Sequence, residues 1–272
     1  RLGGREASGH AGQAMSDADA GVRHHWWILP ALALAVIAAV AIGLTAGAYP
    51  VTFEGAVRAA GKLISGASPT SPEERVLLSI RGPRVLAGVI VGAALAGAGV
   101  VYQGLFRNPL VSPDVLGVSA GAGLGAVLGI FLSLPLLAIQ AFAFAGGLAT
   151  VGLVYVIAAA VQGRDPTLVL VLGGIVVGAL AGAAISLLKI LADPYDQLPA
   201  ITFWLLGSLA GARSGDVGAA LPAVLLGLVP LVLLRWRINV LSLGDEEARA
   251  LGVEAGRLRA ILIAAATLIT AS

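Results

Sequence analysis

From Val115 to Gln162 the chain carries no charged residue, a run of 48 positions. Nothing else in the sequence constrains the fold as much. A single membrane-crossing helix needs about 20 apolar residues, so this run is too long for one crossing and right for two. Ser133-Leu134-Pro135 supplies the turn between them. The apolar character is continuous rather than alternating, which points to helices and away from a barrel.

The same reasoning along the chain gives about six full spans: 26–53, 85–106, 117–133, 137–161, 167–188 and 216–234. The run 197–212 has 16 residues and is expected to be a partly embedded helix and turn. The last uncharged run, 260–272, has 13 residues and reads as a truncated seventh span, with further spans expected beyond it. With 58% hydrophobic and 12% charged residues, the composition agrees with an all-α polytopic membrane protein. Residues 1–25 are small and polar and are expected to form a disordered tail. Span 3 carries Gly117, Gly121, Gly125 and Gly129, and span 5 carries Gly174, Gly178 and Gly182. Four-residue glycine spacing lets helix backbones approach closely.

The polar segments are few and specific. Residues 53–66 place apolar side chains at 53, 57, 60 and 64, the spacing of a short amphipathic helix on a membrane surface. Ser71-Pro72-Glu73-Glu74 is a capping box with proline in the first turn. It leads to Arg81 and Arg84 at one face of span 2, and Arg107-Asn108-Pro109-Leu110 ends that span at the other. Residues 235–259 hold five arginines and four acidic residues. Within them Asp245, Glu246 and Glu247 precede Arg249, and Gly252 follows, as in a short helix with acid first, base later and a glycine stop.

Several chemistries are excluded. Gly61-Lys62 lacks the spacing and the hydroxyl of a phosphate loop. Cysteine is absent, which removes disulfide and thiol chemistry. His24-His25 beside Trp26-Trp27 reads as an interfacial anchor, not a metal site. No basic cluster suggests nucleic acid. No His, Asp or Glu lies within a full span apart from Asp216 at the very start of 216–234, so nothing is placed to do acid–base work and no catalytic residue is assigned. Basic residues divide ten to seven between the two faces, which places the amino terminus in the cytoplasm.

Arg81-Gly-Pro-Arg84, followed by VGAALAGAGVVYQGLFRNPLVSPDVLGVSAGAGLG, resembles the FecCD-type permeases of ABC importers. The resemblance continues through Phe203-Trp204-Leu205-Leu206-Gly207-Ser208 and through Leu241 to Gly252. It implies a bundle of ten transmembrane helices, a homodimer in the bacterial inner membrane, two copies of an ATPase subunit and a periplasmic binding protein. Residues 26–272 would be the permease domain, with a cytoplasmic coupling loop at 235–259. The chain itself would bind no cofactor; ATP and Mg would belong to the ATPase.

The resemblance also implies roles. Asn108, Leu110 and Thr167 would form a cytoplasmic gate. Arg81 and Arg84 would receive the binding protein. Asp245, Glu246, Glu247, Ala248, Arg249, Leu251 and Gly252 would form the coupling helix, with Ala248 and Leu251 packing on the ATPase. The FWLLGSLAGA run is most similar to haem importers, with ferric siderophore or vitamin B12 as the alternative cargo. An ion-coupled secondary transporter is a more distant alternative, because such carriers place ionisable residues inside their spans.

Overall fold

A computed structural model describes residues 27–109, 111–161 and 166–272. The expected tail, residues 1–25, and the gate position Leu110 lie outside the described residues. All regular structure among the described residues is helical. The chain forms two compact units that divide between Val85 and Leu86.

The first unit begins with α1 (Ile28–Thr45), shorter than the expected 26–53. Beyond Thr45 the chain turns extended at Ala46 and runs past Pro50 to Thr52, whose side chain caps α2 (Phe53–Ser65). The spacing predicts α2 well: Gly55 and Ala59 are buried, while Phe53 and Ile64 are 87% and 89% exposed. α3 (Pro72–Arg75) has the expected capping box between Ser71 and Glu74. A π-helical turn, Val76–Arg81, then feeds α4 (Gly82–Phe106). The continuous helical stretch Pro72–Phe106 has 35 residues and reaches about 52 Å, well beyond a hydrocarbon core of about 30 Å. Its polar first turns therefore stand in water.

The second unit holds the rest of α4 and α5 (Val118–Phe131), α6 (Leu136–Ala160), α7 (Pro166–Leu191), α8 (Gln197–Leu206) and α9 (Ser214–Leu233). α10 (Arg235–Leu243), α11 (Asp245–Ala250) and α12 (Ala255–Ala271) follow. Five helices among the described residues are long and apolar enough to cross a membrane: α1, the 72–106 stretch, α6, α7 and α9. α5 is shorter than the expected span 3. Gly117, at φ 71°, starts it, and Ser133, at φ 55°, reverses the chain after it. Most of α5 is buried by protein.

Glycine sets how α5 packs. A Cβ on Gly125 would lie 2.0 Å from the Phe142 carbonyl oxygen, and one on Gly146 would lie 2.3 Å from that of Gly121. The backbones of α5 and α6 therefore touch, as the glycine spacing of span 3 predicts. The glycines of span 5 do not act alike. A Cβ on Gly174 would meet the Val115 carbonyl at 2.0 Å, whereas Gly178 has ordinary room and Gly182 faces open space. Only Gly174 of the three is needed for close approach. α8 is tied to the end of α5 by the Gln197 amide, which donates to the Phe131 carbonyl at 2.8 Å.

Candidate coupling and docking sites

One end of the second unit collects the segments that interrupt its apolar helices. α4 stops where Arg107 turns to φ 49°. The Asn108 amide donates back to the Gln103 carbonyl at 3.2 Å, and the Asn108 carbonyl accepts from Val111 at 3.3 Å. A 3-10 turn at Pro113–Leu116 closes on Gly117, and its Val115 carbonyl is the group that presses on Gly174 of α7. Asn108 and the start of α7 are thus pinned to one end of the bundle. Thr167 lies in the first turn of α7.

The same end carries the segment 235–252. α10 is a helix within the stretch 235–259 that the resemblance implies to be a coupling loop. Its buried residues are Ile238, Val240 and Leu241, with Leu234 packed against the same core one turn earlier. That 234/238/241 spacing was the available signal. Gly244, at φ 140°, separates α10 from α11.

α11 ends in two crossed hydrogen bonds: Gly252 donates to the Arg249 carbonyl and Val253 to the Ala248 carbonyl, both at 2.9 Å. Gly252 has φ 76°, so this is a Schellman stop with glycine at the left-handed position. Ala248, expected to pack on a partner, is 0% exposed and sits in the protein's own core instead. A helix this short has no other apolar anchor on that side, so its smallest inward residue fixes it to the bundle. Glu246, Glu247 and Arg249 are exposed, and Leu251 is 53% exposed. A cavity of 720 Å³ lies between α10–α11 and the helix ends, lined in part by Arg107, Tyr155, Leu170, Glu247 and Arg259.

In the first unit the polar side chains form one network. Glu74 is 2% exposed. Its Oε2 accepts from Lys62 Nζ at 2.7 Å and from the amides of Thr70 at 2.7 Å and Ser71 at 3.2 Å. These donors, Lys62 first, hold its carboxyl down at about 2. Arg58 pairs with Glu54 and reaches Glu73 at 3.5 Å.

Arg81 turns inward within this unit. Its Nη1 donates to the carbonyls of Leu44 at 3.0 Å and Thr45 at 2.9 Å, and its Nη2 to that of Tyr49 at 2.6 Å. Leu44 and Thr45 are carbonyls that the end of α1 leaves without a helical partner, and Tyr49 lies in the segment beyond it. A Cβ on Gly47 would strike the guanidinium, so glycine is what admits the arginine. Arg84 is exposed. Sequence reasoning treated the two arginines as equivalent; the structure gives Arg81 three internal acceptors.

The sequence matches the FecCD transport family over residues 33–272. The chain belongs to that family. It is 42% identical over 195 residues to the cobalamin import system permease protein BtuC of Halobacterium salinarum, covering 71% of this chain and 52% of the relative. It is 41% identical over 202 residues to the hemin transport system permease protein HmuU of Yersinia pestis, covering 70% and 58%. Against a solved ABC transporter described as of metal-chelate type, in an inward-facing conformation, the TM-score is 0.74 at 33% identity, covering 90% of this chain and 74% of the other. The chain thus spans about half the length of the curated relatives it matches.

Proposed function

We propose that this FecCD-family chain is the permease subunit of an ATP-driven importer that moves haem into the cytoplasm by alternating access. The observation that carries the coupling role is the build of α11. It is a helix of one and a half turns, stopped by a Schellman motif and nailed to the core by Ala248, with Leu251 left as an exposed apolar knob. Rigid attachment is what a lever needs: force on Leu251 passes into α12 without being lost in loop motion. The ATPase subunits, with their ATP and Mg, would engage Leu251 and the charged rim of Asp245, Glu246, Glu247 and Arg249. Two copies of the permease would enclose the pathway, with Asn108, Leu110 and Thr167 at its closing end.

Relatives of nearly equal identity are named for cobalamin, for hemin and for iron chelatin, so ferric siderophore and corrinoid cargo stand beside haem. The FWLLGSLAGA run supports haem. The decisive experiment reconstitutes the full-length permease with its ATPase and binding protein in liposomes. ATP-driven uptake is then measured with haem, a ferric siderophore and cobalamin in turn. Uptake of haem alone supports the reading. Uptake of only another chelate moves the cargo, and uptake driven by an ion gradient without ATP overturns the importer reading. Leu251→Asp is expected to leave the subunit folded while lowering coupled uptake at least tenfold, since it places a charge in a contact that must desolvate.

A further inference from the structure

We propose that the pocket between α10 and the start of α12 is a binding site for the headgroup of an anionic phospholipid. The pocket has a volume of 460 Å³, and its lining includes Arg237, Arg257, Glu254, Leu234, Leu258 and Ile261. Two arginines against one glutamate leave it with a net positive charge. No ion pair joins Arg235, Arg237 or Arg257 to an acidic side chain among the described residues. One glutamate does not neutralise two arginines, so an anion between the guanidinium groups is stabilising.

The depth of the pocket selects a lipid over a soluble anion. It sits where two apolar helices end: α9 finishes at Leu233, and Arg257, Leu258 and Ile261 belong to the first turns of α12. From Arg257 to Ile261 the helix rises about 6 Å. The headgroup layer on each side of the hydrocarbon is about 5–8 Å deep. The pocket therefore sets Arg237 and Arg257 together with Leu258 and Ile261, the mixed lining that a phosphodiester and the start of its acyl chains require. Trp236, the residue before Arg237 in α10, is 60% exposed and is of the type that settles at a membrane–water interface. Leu233 and Val232 are exposed on the α9 side, in the position of lipid-facing side chains. Basic pockets between helix ends are a recurrent form of headgroup recognition.

The pocket adjoins the stop of α11, since Gly252 and Val253 also line it, but Leu251 and the acidic residues 245–247 are not part of its lining. The reading needs the chain to be membrane-embedded but does not depend on which cargo it carries.

The test uses the full-length permease in nanodiscs with Trp236 as the sole tryptophan, Trp26, Trp27, Trp204 and any tryptophan outside this sequence being replaced by phenylalanine. Quenching by brominated phosphatidylglycerol is compared with quenching by brominated phosphatidylcholine at equal mole fraction. Each arginine near an anionic surface contributes about five-fold in association, so a preference of at least ten-fold for phosphatidylglycerol is expected. R237Q/R257Q should bring the two lipids to parity, and R237K/R257K should retain most of the preference. Equal quenching by both lipids in the unsubstituted pocket overturns the proposal, whether or not the glutamine variant folds. So does a preference that disappears when the ATPase is bound, because the arginines would then belong to that partner. A preference unchanged in R237Q/R257Q overturns it as well.

Discussion

The two units of this chain are held together by opposite means. In the unit up to Val85 the organising contacts are polar: Glu74 gathers Lys62 and two amides, and Arg81 gathers three carbonyls. In the unit from Leu86 onward they are places where side chains have been removed. Gly121, Gly125, Gly146 and Gly174 bring backbone against backbone. The medium explains the difference. Lipid tails are as apolar as leucine, so helices inside a bilayer gain little from burying leucine and associate through close packing. Segments that return to water can use charge, because their alternatives are also solvated. A chain that crosses the membrane repeatedly thus needs two kinds of adhesive, and the sequence shows where one gives way to the other.

The largest expected effect breaks the packing side of this contrast. Gly125→Leu places a side chain where even a Cβ would lie 2.0 Å from the Phe142 carbonyl, which is backbone and cannot step aside. Overpacking of this kind costs about 3 kcal/mol or more. The folded, monodisperse fraction after detergent extraction should fall sharply. Gly182→Ala, in the same unit but facing open space, should change thermal stability by no more than about 1 kcal/mol. Equal loss in both variants would show that glycine content matters and that close approach does not.

A smaller effect is expected on the polar side. Arg81→Ala leaves the Leu44, Thr45 and Tyr49 carbonyls without their donor. These groups are partly exposed and water replaces part of the loss, so about 1–2 kcal/mol is expected. Amide hydrogen exchange should quicken over residues 44–49 while α5 and α6 stay protected. Lysine should restore little, because a single ammonium cannot present the spread donors of a guanidinium. Uniform exchange across both units after the substitution would count against a local role.

The pH response sharpens the same contrast. Glu74 is held at about 2 in the fold, against 4.5 in the open chain. Its contribution is therefore fully present above about pH 4.5 and is lost as pH falls toward 2. Exchange over 52–75 should rise across that window in the native protein and show no such rise with Glu74→Gln. The glycine contacts between α5 and α6 carry no titratable group, so their protection should not follow the same curve.

How much of this was legible in the sequence follows the same division. The capping box, the amphipathic face of α2 and the stop at Gly252 could be read because each is a local pattern. So could the family, through the residues around Arg107 and Asn108. Ala248 could not be assigned inward or outward, because α11 is too short for periodicity to choose a face. Gly174 and Gly182 look alike in sequence, and only the arrival of the 113–117 turn against α7 separates them. Arg81 and Arg84 also look alike. The π turn at 76–81 and the return of the chain past Gly47 are tertiary facts, and they decide which arginine is consumed internally.

The last and smallest effect concerns that pair. In the importer reading Arg84 meets an acidic side chain of the binding protein. Arg81 acts behind it by holding the end of α1 against the turn that presents Arg84. An exposed rim pair contributes only about 1 kcal/mol or less, so Arg84→Glu should weaken docking less than ten-fold beyond the loss of attraction itself. The effect should fall mainly on the association rate and shrink at high salt, because charge steers the encounter. A glutamate-to-arginine change on the binding protein should restore docking to Arg84→Glu. The same partner change should not restore it to Arg81→Glu, whose defect lies in three unmet carbonyls and not in a missing attraction across the interface. Surface plasmon resonance on nanodisc-held complex at two salt concentrations separates these outcomes. Rescue of both arginine variants by the charge swap would mean that Arg81 leaves its carbonyls when the partner arrives. The polar unit would then be a switch, where the hydrogen bonds described here make it a clamp.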